Sequence, residues 1–287
     1  MSDFKYTPDD DIEIHKENAI RTICRAFQTH DNGLPEWVKN SADEYARRNL
    51  PPEQRIIVLI FAAPPKAKRG SISCLDFGGM SSQTIQQHFR RWVDPEAAQQ
   101  GGDAEGIQGG HGNGGKCYMT QMFLDYSLVH TCLDGQGNKY GVQGGSSRFG
   151  YLPDPREGCD FDVPDMEVEL EQALRHTQCS LSALPPEAQG ALGSARGFTL
   201  LTGVGPKDYE ASIPVGQITD DLCDHPQMIG SLEFCSVYVV SNGKLIHGGR
   251  PLALPTIEPM KGAETPRVIP IPPHLKDPVS KKKVSTT

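Results

Sequence analysis

The 287-residue sequence predicts an α/β fold. Three observations point there. "RIIVLIF" (55–61) is a continuous apolar run with prolines on either side, the pattern of a buried strand. "SLEFCSVYVV" (231–240), then Ser241-Asn242-Gly243, then "KLIHGG", reads as a hairpin, because Asn-Gly suits the type I′ turn that matches strand twist. Between such runs lie stretches with the caps and periodicity of helices.

The elements follow in order. Ile20 to Arg48 reads as helix, interrupted near "THDNGLP". Its second part runs from Pro35, a residue favoured at a first helical position, to Arg48, before Asn49-Leu50-Pro51-Pro52. After the 55–61 strand, "AAPPKAKRG" turns the chain and "SISCLDF" (71–77) returns it. Ser81 to Trp92 is helical, with Ser81 or Ser82 as cap. Asp94 to Lys116 is a long loop, glycine-rich in its second part, and loops of that length in a compact domain are functional or disordered. "CYMTQMFL", from Cys117, forms a short helix. "YSLVHTCL" and "KYGVQGG" flank the turn "DGQGN". Asp162 to Thr177 is an amphipathic helix, "PPEAQGALG" a further one, and "GFTLLTGV" (197–204) a strand. From Pro251 prolines recur to the end, as in an extended strap or linker.

Composition narrows the function. Hydrophobic residues make up 37%, enough for a core, and the net charge of −8 argues against a large nucleic-acid surface. No apolar run reaches the length of a membrane span. The acidic, polar N-terminus is not a signal peptide. Eight cysteines are scattered without a C-x-x-C pair, which reads as reduced thiols of a cytoplasmic protein and not as a zinc site.

Three segments carry chemistry. In "PEWVKNSADEY", Glu36, Asn40 and Asp43 stand at helical spacing on one face, odd for a packed face unless they hold a ligand or ion. In "LDFGGM", Asp76 ends a strand and Gly78, Gly79 and Met80 follow. "GGHGNGGK" (109–116) matches the spacing of a phosphate-binding P-loop, but Cys117 replaces the Ser or Thr that meets Mg²⁺, and no strand precedes it. Its glycines fit another use: amides at a helix N-terminus that bind anionic oxygens.

In this order, the three segments resemble the gyrase B, Hsp90, histidine-kinase and MutL (GHKL) family of ATPases. "E-x-x-x-N-x-x-D" looks like that family's N-box, "DFGGM" like its first glycine box, and "GGHGNGGK" like its second. "AFQTHDNGLPEWVKNSADEY" and "SLEFCSVYVVSNGKLI" look most like the Hsp90 and MORC branch. The resemblance implies a two-layer α/β sandwich with a mixed sheet, the Bergerat ATP-binding fold. The domain would span residues 17–250 with a lid at 94–116, between a polar segment (1–16) and the proline-rich strap (251–287).

It also implies roles. Asp76 accepts from the exocyclic amine of adenine, and Gly78, Gly79 and Met80 line the base pocket. Asn40 holds Mg²⁺, and Asp43 supports the nucleotide side of its helix. Gly110, Gly112, Asn113, Gly114 and Gly115 wrap the phosphates, with Lys116 as a nearby cation. Glu36 polarises the attacking water. Thr199 takes the place of a threonine that helps bind adenine through water. Departures are visible: the first glycine box is one residue short, Lys39 stands beside Asn40, and Phe198, not Thr199, directly follows Gly197. On a strand that one-residue offset moves the hydroxyl to the other face.

The function implied is an ATP-binding module that hydrolyses ATP slowly with Mg²⁺ and uses lid closure to drive homodimerisation or docking of a protein partner. The alternative is a nucleotide sensor that binds ATP or ADP without turnover. No helical hairpin with an accepting histidine precedes the domain, which disfavours a protein histidine kinase.

Overall fold

The computed structural model describes residues 16–27, 29–63, 70–89, 113–143, 149–150, 160–209 and 212–255. All but Pro255 belong to the unit Met1–Leu254. The architecture is the expected α/β fold around one mixed sheet. Its strands are β1 (Ile56–Ala62), β2 (Ser71–Asp76), β3 (Phe123–Leu133), β4 (Gln136–Gln143), β5 (Phe149–Gly150), β6 (Phe161–Asp162), β7 (Gly197–Pro206), β8 (Ser236–Ser241) and β9 (Lys244–Leu245). Their order is β5-β4-β3-β7-β2-β1-β8-β9, with β6 on the edge of β4. β1 and β8 run parallel and the other pairs antiparallel. Every residue of β1 is buried, as its unbroken apolar run requires.

The helices are α1 (Lys16–Ile23), α2 (His30–Arg47), α3 (Ser82–Thr84, running into a π-helical turn, Ile85–Phe89), α4 (Gly114–Gln121), α5 (Met166–Leu174), α6 (Pro186–Ser194), α7 (Val215–Asp224) and α8 (Met228–Phe234). Leu34, Trp37 and Val38 of α2 and Tyr118 and Met119 of α4 pack on one face of the sheet, against Leu59, Ile72, Val129 and Leu201. Leu170 and Leu174 of α5 and Ala188 and Ala191 of α6 pack on the other, against Val58, Ile60, Leu75 and Leu200. Burying each large side chain contributes about 1.5–3 kcal/mol. No helix among the described residues is long and apolar enough to cross a membrane.

Several boundaries differ from expectation. The long helix starts at His30, not Pro35, because Thr29 caps it, its hydroxyl accepting from the Asn32 amide. Pro35 therefore lies inside α2 and forfeits one helical hydrogen bond, which the buried Leu34, Trp37 and Val38 offset. Helix α4 opens at Gly114, not Cys117, so Gly114, Gly115 and Lys116 are helical. Ser231–Phe234 end helix α8, and only Ser236 onward is strand. The helix expected from Asp162 begins at Met166 under an Asp165 cap. The Asn242-Gly243 turn is present, with φ of 48° and 71°, values that suit these residue types. Asp134-Gly135 joins β3 to β4 in the same way, with φ of 51° and 79°. Most of the expected lid, 94–112, and the strap beyond Pro255 lie outside the described residues.

Candidate functional site

Sheet register builds the site. Asp76, at the end of β2, pairs with Thr199 of β7. Thr199 pairs with Thr131 of β3, and Thr131 with Asn138 of β4. Residues directly opposite in antiparallel strands point to one face. Four polar side chains thus cross four adjacent strands in a single row. Cys74, Leu201, Val129 and Tyr140, two residues further along each strand, belong to the core under α2 and α4, so the row shares that face. Thr199 therefore stands beside Asp76, contrary to the expectation from its offset after Gly197. Register with the partner strand, not distance from a glycine, decides the face.

Asp76 is 6% exposed. Its two carboxylate oxygens accept from the Gly78 amide and the Ser41 hydroxyl, both at 2.8 Å. Burial pushes its pKa up to about 6, the two hydrogen bonds pulling the other way. The Thr131 hydroxyl donates to the Phe198 carbonyl at 2.8 Å and accepts from the Met80 amide at 2.7 Å. Its single proton is then used, so the Thr199 hydroxyl, 3.1 Å away, donates to it. Thr199 is left with acceptor capacity alone, next to the acceptor Asp76. Thr131 also fixes Met80 behind the turn. Gly79 makes that turn at φ +75°, where a Cβ would strike the Cys132 carbonyl.

Helix α2 forms the wall. Ser41 meets Asp76, while Arg48 donates to the Gly79 carbonyl at 3.0 Å and pairs with Glu44. Further back along the helix, Glu36 and Asn40 touch the start of α4. A Cβ on Gly114 would overlap the Glu36 carboxylate, and one on Gly115 would lie 2.8 Å from the Asn40 amide. Only glycine lets the backbone approach this closely. The Trp37 indole donates to the Gly115 carbonyl at 3.2 Å and holds the helices in register. No side chain caps α4, so its first amides point out unpaired by helical bonds, as at any helix start. The three sequence segments converge here.

Not every expected residue plays an equal part. Asn40 is exposed, whereas Glu36 is 7% exposed and Asp43 1%. Burial, with the charges of Asp76 and Asp43 adding to it, pushes the Cys235 thiol up to about 12. Asn113 and Lys116 are buried at the head of α4. Gly110 and Gly112 lie outside the described residues. Lys39, an oddity in the sequence, proves to be the partner of Glu36: its amine lies 3.2 and 3.3 Å from the two carboxylate oxygens. Sequence reasoning missed Ser41, Thr131 and Asn138. Ser41 lies one residue after Asn40, and a helical wheel facing the Asp76 strand end would have found it. Thr131 and Asn138 become visible only once register is known.

No protein-family model and no curated protein matches the sequence. Solved structures do. The ATPase region of Saccharomyces cerevisiae topoisomerase II is 11% identical, with a TM-score of 0.44 over 73% of this chain and 47% of that one. The ATPase and transducer domains of DNA topoisomerase II from Balamuthia mandrillaris are 13% identical, with a TM-score of 0.42 over 75% and 47%. The yeast ATPase region bound to ICRF-187 (dexrazoxane) is 11% identical, with a TM-score of 0.39 over 75% and 49%. The chain spans about half the length of each of these structures.

Proposed function

We propose that the chain is an ATP-binding module of the GHKL type, and that it hydrolyses ATP slowly with Mg²⁺. The observation that carries this reading is the pair of acceptors at one strand end, Asp76 and Thr199, beside helix α2, whose Glu36 and Asn40 touch the start of α4. Two adjacent acceptors suit an exocyclic amine, as in adenine, and disfavour the carbonyl that guanine presents there. Amides at the start of α4, behind glycines that admit close approach, suit phosphate oxygens. The residues also fit the metal. Among the described residues no group of three His, Cys, Asp or Glu could hold an ion by itself. Mg²⁺ characteristically takes one or two protein oxygens and completes its shell with phosphates and water, and the Asn40 side chain can supply one. Bound ATP with its metal supplies the transferable phosphoryl group; the chain positions it, excludes water and orients the attacking one. Glu36, one turn before Asn40, is placed to accept that water's proton. Closure of the 94–116 lid over the phosphates, with homodimerisation or partner docking as its consequence, completes the proposal.

One observation favours the second reading, a sensor without turnover. Lys39 engages both oxygens of Glu36 and Gly114 packs against the same carboxylate, so the base is occupied.

A thermal-shift titration with ATP, ADP and GTP, with and without Mg²⁺, tests the common core of both readings. ATP at about 100 times Kd should add about 2.7 kcal/mol of apparent stability, and GTP far less. Equal shifts with GTP and ATP would remove the adenine assignment, and no shift with any nucleotide would remove the binding function.

A further inference from the structure

The polar row does not end at the threonines. Asn138 closes it on β4, opposite Thr131 and on the same face. It is 1% exposed, and neither its amide nitrogen nor its carbonyl oxygen has a hydrogen-bond partner. A buried carboxamide without partners is costly, because it has given up water for nothing. The neighbouring row members are in a different state. Thr131 uses its hydroxyl three times, Thr199 bonds to Thr131, and Asp76 has two donors. Only at Asn138 is full capacity, donor and acceptor together, left over. Among the described residues nothing hydrogen-bonds the amide, and an apolar residue of the same size would pack there at lower cost.

Resting on the ATP-binding reading above, we propose that Asn138 is a further nucleotide contact, one that meets the ribose–phosphate part and not the base. The geometry argues for that part. Three inter-strand steps separate Asp76 from Asn138, roughly 14 Å between Cα atoms. That is longer than a purine, so with Asp76 on the exocyclic amine, Asn138 lies beyond the ring. The ribose hydroxyls donate and accept, and phosphate oxygens accept from an amide nitrogen. A carboxamide can serve either. The amide is then a group held at a cost in the free protein and satisfied on binding.

This origin gives the proposal an unusual signature, with opposite signs for stability and affinity. In the full chain, Asn138→Leu should leave the melting temperature of the nucleotide-free protein unchanged or raise it. By calorimetry, the same variant should bind ATP about tenfold more weakly, the loss expected for one or two neutral hydrogen bonds. Asn138→Ala is the second variant, in case leucine does not fit, and should show the same weakening. Adenosine, ADP and ATP are titrated in parallel. Weakening of all three places the amide at the ribose; weakening of ADP and ATP alone places it at the phosphates; both outcomes support the proposal. Unchanged affinity in both variants, with wild-type binding intact, overturns it and leaves the ATP-binding reading standing. Loss of nucleotide-free stability in Asn138→Leu and Asn138→Ala together overturns it too, since the amide would then serve the fold. A wild-type chain that binds none of the three ligands overturns the underlying reading, and this proposal with it.

Discussion

On the face of the sheet covered by α5, His130 and Glu169 meet at 2.8 Å, their side chains 1% and 6% exposed. On the face covered by α2 and α4, Asn138 is as deeply buried and its amide meets nothing. Asp76, three strands away, keeps lone pairs to spare and a pKa near 6. Both faces bury polar groups, and both interiors are otherwise apolar. The difference lies in the pairing: the His130 imidazole bonds a protein carboxylate, whereas neither polar atom of the Asn138 amide has a hydrogen-bond partner. His130–Glu169 ties β3 to α5 through a hydrogen bond between two protein side chains. The row on the other face keeps hydrogen-bonding capacity at Asp76, Thr199 and Asn138. Depth of burial alone therefore does not separate the two groups; their hydrogen-bond partners do.

The comparison can be broken by substitution on each side. The largest effect is expected at Glu36. Glu36→Ala should lower ATP hydrolysis about 10²–10⁴-fold while ATP affinity changes only a few-fold, because the carboxylate meets water and not nucleotide. Phosphate release and calorimetry on the same variant decide this; equal turnover in variant and wild type, with tight binding in both, leaves only the sensor.

Asp76→Asn comes next. A hydrogen bond to a charged group contributes about 1.5–3 kcal/mol, so ATP should bind roughly 10–150 times more weakly while the fold survives. Unchanged affinity would take Asp76 out of the site.

Glu169→Leu probes the opposite face. Removing one partner of this buried pair should cost about 1–3 kcal/mol in chemical denaturation and leave ATP affinity alone. An affinity loss as large as the stability loss would erase the distinction between the faces.

The smallest effect is a pH dependence. The Asp76 pKa is raised, from 3.8 to about 6, so the folded protein holds an extra proton between those values. Stability from this group falls as pH rises through that window. Binding runs the other way: an amine donor favours the carboxylate, so ATP affinity should rise severalfold from pH 5 to pH 7 and level off above. Burial lowers the His30 pKa to about 4, and its contribution to stability is lost as pH falls from 6.5. The two trends oppose each other in melting experiments. Calorimetry at fixed pH separates them, and a pH profile of binding that persists unchanged in Asp76→Asn would assign the effect elsewhere.

Much of this molecule was legible in its residues. Buried strands announce themselves by unbroken apolar runs, and β1, β2 and β7 stand within a residue or two of where the pattern puts them. Glu36 and Asn40 in one motif and the glycines at 114 and 115 in another were singled out from the sequence, and the structure brings them into contact. What was illegible is cross-strand register, a property of two segments far apart in the chain. That is why Thr199 was assigned to the wrong face and why Thr131 and Asn138 were passed over. Helix starts also misled, for a local reason. Proline at 35 and glycines at 114 and 115 read as a boundary and as loop, but the Thr29 cap and the packing of α4 on α2 outweighed those propensities.

Trp37 leaves the molecule with an optical consequence. It is fully buried, stacked on Phe123 at 5.7 Å, and its indole N–H is bonded to the Gly115 carbonyl, in the first turn of α4. The chain contains two tryptophans, Trp37 and Trp92. In a Trp92→Phe background, ultraviolet emission would come from one indole whose hydrogen bond ends at the first turn of α4. Any displacement of α4 relative to α2 changes that bond and the ring beside it, and so shifts the emission maximum. The chain carries its own reporter dye, wired to the element that matters and requiring no label.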